Sequence, residues 1–157
     1  MASLRVFLAA SLICLARSQL NSQNERVTEI CLGCICEAMS GCNLTRGCAE
    51  DDCGMFRITR LYWVDAGQPT LQLDDPKTDG AYQRCTLDPV CAARTVRGYM
   101  NKFIDKDCNG DGTVDCMDYA ASHFLSGYSC SAPLDNDYAK TMRSCLAQVA
   151  GLAINKS

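Results

Sequence analysis

The stretch from Asp107 to Asp118 reads D-C-N-G-D-G-T-V-D-C-M-D. Asp107, Asn109, Asp111, Asp115 and Asp118 place side-chain oxygens at the first, third, fifth, ninth and twelfth positions. Gly112 stands where the chain must turn sharply, and Thr113 offers its backbone carbonyl next. A hard dication takes about six to eight oxygens, and an EF-hand-type loop supplies them at this spacing. The spacing therefore predicts a Ca2+ site and no organic cofactor. Asp118 is one methylene shorter than the usual Glu, which shortens its bidentate reach, and Cys108 and Cys116 fall at non-ligand positions. The competing reading is an acidic, glycine-rich turn.

The cysteines offer a second chemistry. The chain has 13. Setting aside Cys14 leaves an even set: Cys31, Cys34, Cys36, Cys42, Cys48, Cys53, Cys85, Cys91, Cys108, Cys116, Cys130 and Cys145. In an exported chain this predicts a disulfide framework, with the pairing left open. Zinc is the rival reading. His123 is the lone histidine and no regular pair of Cys-x-x-Cys knuckles is present, so disulfides are preferred.

Export is expected from the start of the chain. Arg5 gives a short positive region, Val6 to Ala16 is apolar, and Ala16-Arg17-Ser18 carries small residues where a signal peptidase reads. Residues 1–18 are thus expected to be a signal peptide, and residues 19–157 one secreted, extracellular domain with no membrane span. Loss of Arg5 and Arg17 takes the net charge from −3 to about −5. No basic stripe argues for nucleic acid, and no positive field draws the protein to anionic walls. Asn43-Leu44-Thr45 and Asn155-Lys156-Ser157 are sequons for N-glycosylation.

The elements that must carry these residues read as mostly α with a small β element, stapled by disulfides. Ile30, Cys34 and Ala38 recur at helical spacing from Val27 to Met39, and Ser40-Gly41 ends that run. Asn43 to Cys53 reads as a polar, acidic loop. Phe56 and Ile58 alternate with polar residues, which suggests a short strand. Leu61 to Val64 is apolar, and Gln68 to Gly80 reads as an exposed loop. Asp88 is a natural N-cap with Pro89 behind it. The helix it opens should bury Val90, Ala93, Val96, Met100, Phe103 and Ile104. Further helices are expected from Met117 to Leu125 and around Tyr138, Met142, Cys145, Leu146 and Val149.

Four ordered blocks together resemble the invertebrate-type lysozyme, or destabilase, family, nearest to its insect members. They are C-L-G-C-I-C-E-A-M-S-G-C (Cys31 to Cys42), C-G-M-F-R-I-T-R-L-Y-W-V-D-A-G (Cys53 to Gly67), C-T-L-D-P-V-C-A-A (Cys85 to Ala93) and G-Y-M-N-K-F (Gly98 to Phe103). The likeness runs from about Glu29 to Cys145. It implies an α+β lysozyme-like fold and hydrolysis of the β-1,4 bond between N-acetylmuramic acid and N-acetylglucosamine in peptidoglycan, in defence or digestion. Some members also cleave isopeptide bonds. Muramidase chemistry needs a protonated carboxyl to donate to the leaving oxygen and an ionised one across the bond, about 5–5.5 Å away in retaining enzymes.

The resemblance puts the acid at the position of Met39, and a thioether has no proton to give. Glu37 lies about 200° around the helix from Met39 and should face elsewhere. The second carboxyl falls between the fifth and sixth mature cysteines, where only Ala49-Glu50-Asp51-Asp52 stands. Glu50 and Asp52 are the replacement candidates, against the reading of a charged, exposed turn. Phe56, Tyr62, Trp63 and His123 are the expected sugar contacts. Cysteines common in the family are replaced by Ala66 and Thr95, as loss of one whole bridge requires. Three readings follow: a lysozyme with weak or lost muramidase activity, a non-catalytic glycan- or partner-binding protein, and an isopeptidase using Ser40 with His123 as its base.

Overall fold

The structure is a computed structural model that describes residues 27–154. The expected signal peptide and the Asn155 sequon lie outside them.

Helix α1 (Glu29–Ser40) begins where Thr28 Oγ1 accepts the Cys31 N–H at 3.2 Å. It stops at Gly41, which takes the left-handed conformation (φ 63°) that lets its N–H cap the last turn. Leu32, Ile35 and three cysteines form its buried face. That face packs on helix α6 (Asn136–Ile154), where Tyr138 and Met142 are buried.

The expected Asn43–Cys53 loop is instead a hairpin. Strands β1 (Cys48–Ala49), β2 (Asp52–Cys53) and β3 (Ile58–Thr59) form an antiparallel sheet in that order, with Cys48 opposite Cys53 and Asp52 opposite Thr59. The turn Glu50-Asp51 is too polar to signal a strand pair, and the Cys48–Cys53 bridge holds it closed. Thr59 then caps α2 (Arg60–Asp65) by accepting the Tyr62 N–H.

Helix α3 (Ala81–Leu87) falls in a segment for which no helix was expected. Asp88 caps α4 (Pro89–Asn101) through the Cys91 N–H at 2.7 Å, as the Asp-Pro pair implied. Its buried face keeps Val96 and Met100 from the expected one and adds others. Cys91, Ala92, Thr95, Val96, Tyr99 and Met100 point inward and Val90 is exposed. The Cys85–Cys91 bridge joins α3 to α4. Helix α5 (Cys116–Ala121) runs into a single wide turn of π-helix (Ser122–Ser126) before Gly127.

All twelve expected cysteines pair. Cys31–Cys116 and Cys34–Cys145 tie α1 to α5 and α6 across sequence separations of 85 and 111 residues. In the chain-entropy account each such long closure stabilises by about 4–5 kcal/mol. At the two positions where a seventh bridge was expected to be lost, Thr95 is buried and donates to the Cys91 carbonyl at 2.8 Å. Gly98 approaches Ala66 so closely that a Cβ would stand 2.8 Å from its carbonyl oxygen. Trp63, Phe56, Ile35, Ile58, Met100 and Met142 fill the core. No helix among the described residues is long and apolar enough to cross a membrane.

Candidate active-site cleft

Adjacent residues on a helix point about 100° apart, and Tyr62 and Trp63 turn to different surroundings. Trp63 turns inward, fully buried, and its indole N–H donates to the Pro69 carbonyl at 2.7 Å. Tyr62 turns outward onto an open cleft of about 590 Å³. Met39 of α1, Asp52 and Arg57 of the sheet region, Leu61 of α2, and Phe124, Ser126 and Tyr128 after α5 share that cleft.

Tyr62 stacks on Tyr99, with centroids 3.7 Å apart and planes 19° apart. Its phenol lies 2.9 Å from His123 Nδ1, while His123 Nε2 lies 2.9 Å from the Phe56 carbonyl. A carbonyl only accepts, so Nε2 carries the proton and Nδ1 accepts from the Tyr62 hydroxyl. Burial lowers the His123 pKa to about 4, against the small opposing effect of the Phe56 bond. Burial also pushes the Tyr62 phenol well above its ordinary value, with Tyr99 and Tyr138 adding to it. At neutral pH this wall is a neutral, hydrogen-bonded chain with no charge to give. It is a positioning device, since both imidazole nitrogens are engaged.

Two carboxylates reach the cleft, Asp52 and Asp65. Asp52 meets Arg46 at 2.6 Å and accepts from Arg57 Nε at 3.1 Å. The Arg46 contact is an ion pair without hydrogen-bond alignment. Asp65 pairs with Lys102 at 2.6 Å, and Lys102 also donates to the Tyr128 hydroxyl at 2.7 Å. These two partners hold the ammonium above its usual pKa, Asp65 foremost. Each cleft carboxylate therefore faces a cation. Such an arrangement holds both carboxylates in place through their ion pairs.

The expected residues thus divide. Tyr62, His123 and Asp52 line the cleft. Phe56 and Trp63 do not, because both side chains belong to the core, although the Phe56 carbonyl anchors His123. Glu50 sits exposed on the hairpin turn at φ 54° and is not part of the cleft lining. Glu37 is exposed and lines a separate groove with Lys140, as its helical angle implied. Ser40 donates to the Met55 carbonyl at 2.7 Å, and His123 has no nitrogen left to serve it as a base. Leu61, Phe124 and Tyr128, all exposed, line the cleft but were not among the expected site residues. The aromatic pair around Leu125-Ser126-Gly127 was the available signal.

The structure lends the Ca2+ expectation no support. Asp118, at the closing position, is fully buried. Its oxygens accept the N–H groups of Cys108 at 2.9 Å, Asn109 at 3.2 Å and Asp115 at 2.8 Å. It works as half of a capping box for α5, with Asp115 the N-cap. Asp107 accepts from Gly110 and Gly112, Asn109 from Asp111, and Asp111 from Thr113. Among the described residues no group of three or more His, Cys, Asp or Glu side chains converges to hold a metal ion. The oxygens that spacing alone marked as ligands brace their own loop.

The Destabilase family model matches residues 28–145. The chain belongs to the Destabilase family. This Destabilase-family chain is 32% identical over 131 residues to a lysozyme of Ostrea edulis, covering 80% of itself and 85% of that protein. It is 34% identical over 119 residues to invertebrate-type lysozyme 3 of Caenorhabditis elegans, covering 73% and 84%. Among solved structures it is similar to the Meretrix lusoria lysozyme in complex with Aeromonas hydrophila PliI, with a TM-score of 0.59 and 26% identity over 77% of this chain and 92% of that one. The inhibitor-bound Meretrix lusoria lysozyme gives a TM-score of 0.55 at 27% identity, over 69% and 82%.

Proposed function

We propose that this Destabilase-family protein is secreted and binds bacterial peptidoglycan in the Tyr62–His123 cleft, with weak or lost muramidase activity. One observation carries the reading. Met39 lines the cleft, and both carboxylates beside it face cations. Transfer of a proton to a glycosidic oxygen needs a protonated group within hydrogen-bond reach, and a thioether has none. The lysozyme relatives support a glycan as the ligand. Asp52, flanked by Arg46 and Arg57, suits the role of the charged partner and not of the acid.

The second reading, a purely non-catalytic glycan- or partner-binding protein, draws on the same Met39. An isopeptidase is disfavoured by the engaged Ser40 and His123. The deciding experiment uses pure, correctly oxidised protein on bacterial cell walls. Turbidity loss reads hydrolysis, and protein in the wall pellet reads binding. The expected result is binding with little or no lysis, and faster lysis by Met39→Glu. Brisk wild-type lysis abolished by Glu50→Ala or Asp52→Asn would overturn the reading. Absence from the pellet would remove peptidoglycan as the ligand.

A further inference from the structure

Ser126 holds φ 96°, a left-handed conformation that a residue with a Cβ adopts only at a cost. It closes the π-helical turn, a local widening that recurs at functional sites. Gly127 follows because a Cβ there would stand 2.2 Å from the Phe103 ring. The effect of the turn is to bring Ser126 to the cleft between two exposed rings, Phe124 and Tyr128. Phe124 has one face stacked on Tyr138, at 4.4 Å. Tyr128 is held edge-on to Phe103 at 4.9 Å and beneath Lys102.

Protons can be counted at this point. The Tyr99 hydroxyl accepts the Gly127 N–H at 3.0 Å, and Ser126 Oγ accepts the Tyr128 N–H at 3.3 Å. The two hydroxyls lie 3.4 Å apart, and either can donate to the other. The pair owns two hydroxyl protons, and the bond between them uses one. No other acceptor for the second is found among the described residues. Tyr99 is buried, so the spare proton is available to a ligand on Ser126, the more open of the two.

We infer that Ser126 donates a hydrogen bond to the acetamide carbonyl of an N-acetylhexosamine, with the acetyl methyl group resting against Phe124 and Tyr128. A carbonyl matches a lone donor, and a methyl matches a ring face. Ser126 thus selects N-acetylated sugars, which deepens the glycan reading above and rests on it.

The test is calorimetric titration with two neutral probes, the tetramer of N-acetylglucosamine and the tetramer of glucose. The wild type is expected to prefer the acetylated tetramer. Ser126→Ala removes the hydroxyl and keeps the strained backbone, whereas Ser126→Gly removes both. Both should bind the acetylated tetramer roughly five- to tenfold more weakly and the glucose tetramer unchanged. Loss in only one variant would assign the effect to backbone shape and overturn the inference. Wild-type binding to the acetylated tetramer, unaltered by either change, would overturn it while leaving the glycan reading intact. No binding of either tetramer by the wild type, with none to peptidoglycan fragments, would remove both.

Discussion

The Asp107–Asp118 loop and the Ser122–Tyr128 turn flank the same short helix, α5, and they use their polar groups in opposite ways. In the loop every acidic or amide side chain accepts a backbone N–H of the loop or of the helix it opens. In the turn a non-glycine residue is strained, the helix widens, and one hydroxyl proton goes unclaimed. The loop is far richer in charge. Polar density is a poor guide to a binding site when a backbone nearby can absorb it. Leftover hydrogen-bonding capacity facing a cleft is the better guide.

The loop side of this contrast should show the largest effect. Asp118→Ala would remove the acceptor of three N–H groups, that of Cys108 buried and those of Asn109 and Asp115 part-buried. At about 1–3 kcal/mol for the buried N–H and less for the two that water can reach, the fold should lose roughly 3 kcal/mol. Denaturant titration with the disulfides intact would measure it. An unchanged midpoint would mean that the loop does not depend on its own carboxylate, and the contrast would fail.

The cleft side should instead answer to pH. His123 has a folded pKa of about 4, below its ordinary 6.5. The unfolded chain therefore binds the proton more readily, and stability falls as pH drops through that window. The stabilisation is complete above about pH 6.5 and lessens by roughly 3 kcal/mol as pH approaches 4. His123→Gln should flatten this part of the stability curve. An equally steep fall in the variant would assign the pH dependence to other groups.

A smaller effect is expected from Tyr62→Phe, which keeps the ring stacked on Tyr99 and removes the donor to His123 Nδ1. One buried ring nitrogen then lacks a partner, at about 1–2 kcal/mol. A thermal melt would show it, and equal stability of the variant would mean that water replaces the phenol.

Much of this frame was legible, and the residues show where legibility ends. Asp88 and Gly41 mark helix ends by local chemistry, and Ile30, Cys34 and Ala38 mark a helical period, so α1 and α4 stood out in the sequence. The twelve cysteines from Cys31 to Cys145 announced a disulfide frame but not its pairing, because pairing depends on how α1 meets α5 and α6 in space. The Cys48–Cys53 hairpin was hidden by its acidic turn. Tyr62 and His123 were singled out through the family resemblance and line the cleft, whereas Trp63, the next residue after Tyr62, turns into the core, a difference that aromatic character alone does not reveal. Ser126 carried no signal at all. Its interest lies in a φ angle and a proton count, and neither can be read from residue types.

The smallest expected effect is also the one that most sharpens the contrast. If the loop's oxygens are already engaged, as Asp118 most clearly is, adding calcium should shift Tm by less than about 1 °C. A site of the weak kind found in extracellular modules, with Kd near ~1 mM, behaves differently. It would stabilise by about 1.4 kcal/mol at ~10 mM calcium and raise Tm by roughly 4 °C for a domain of this size. Melting curves in chelator and in calcium separate the two, and Asp111→Ala supplies the control, since Asp111 is exposed and braces only the Thr113 N–H. A rise of several degrees that Asp111→Ala abolishes would show that a cation can displace these backbone bonds. The loop would then have capacity left over after all, and the distinction between the two ends of α5 would be one of ligand and not of satisfaction.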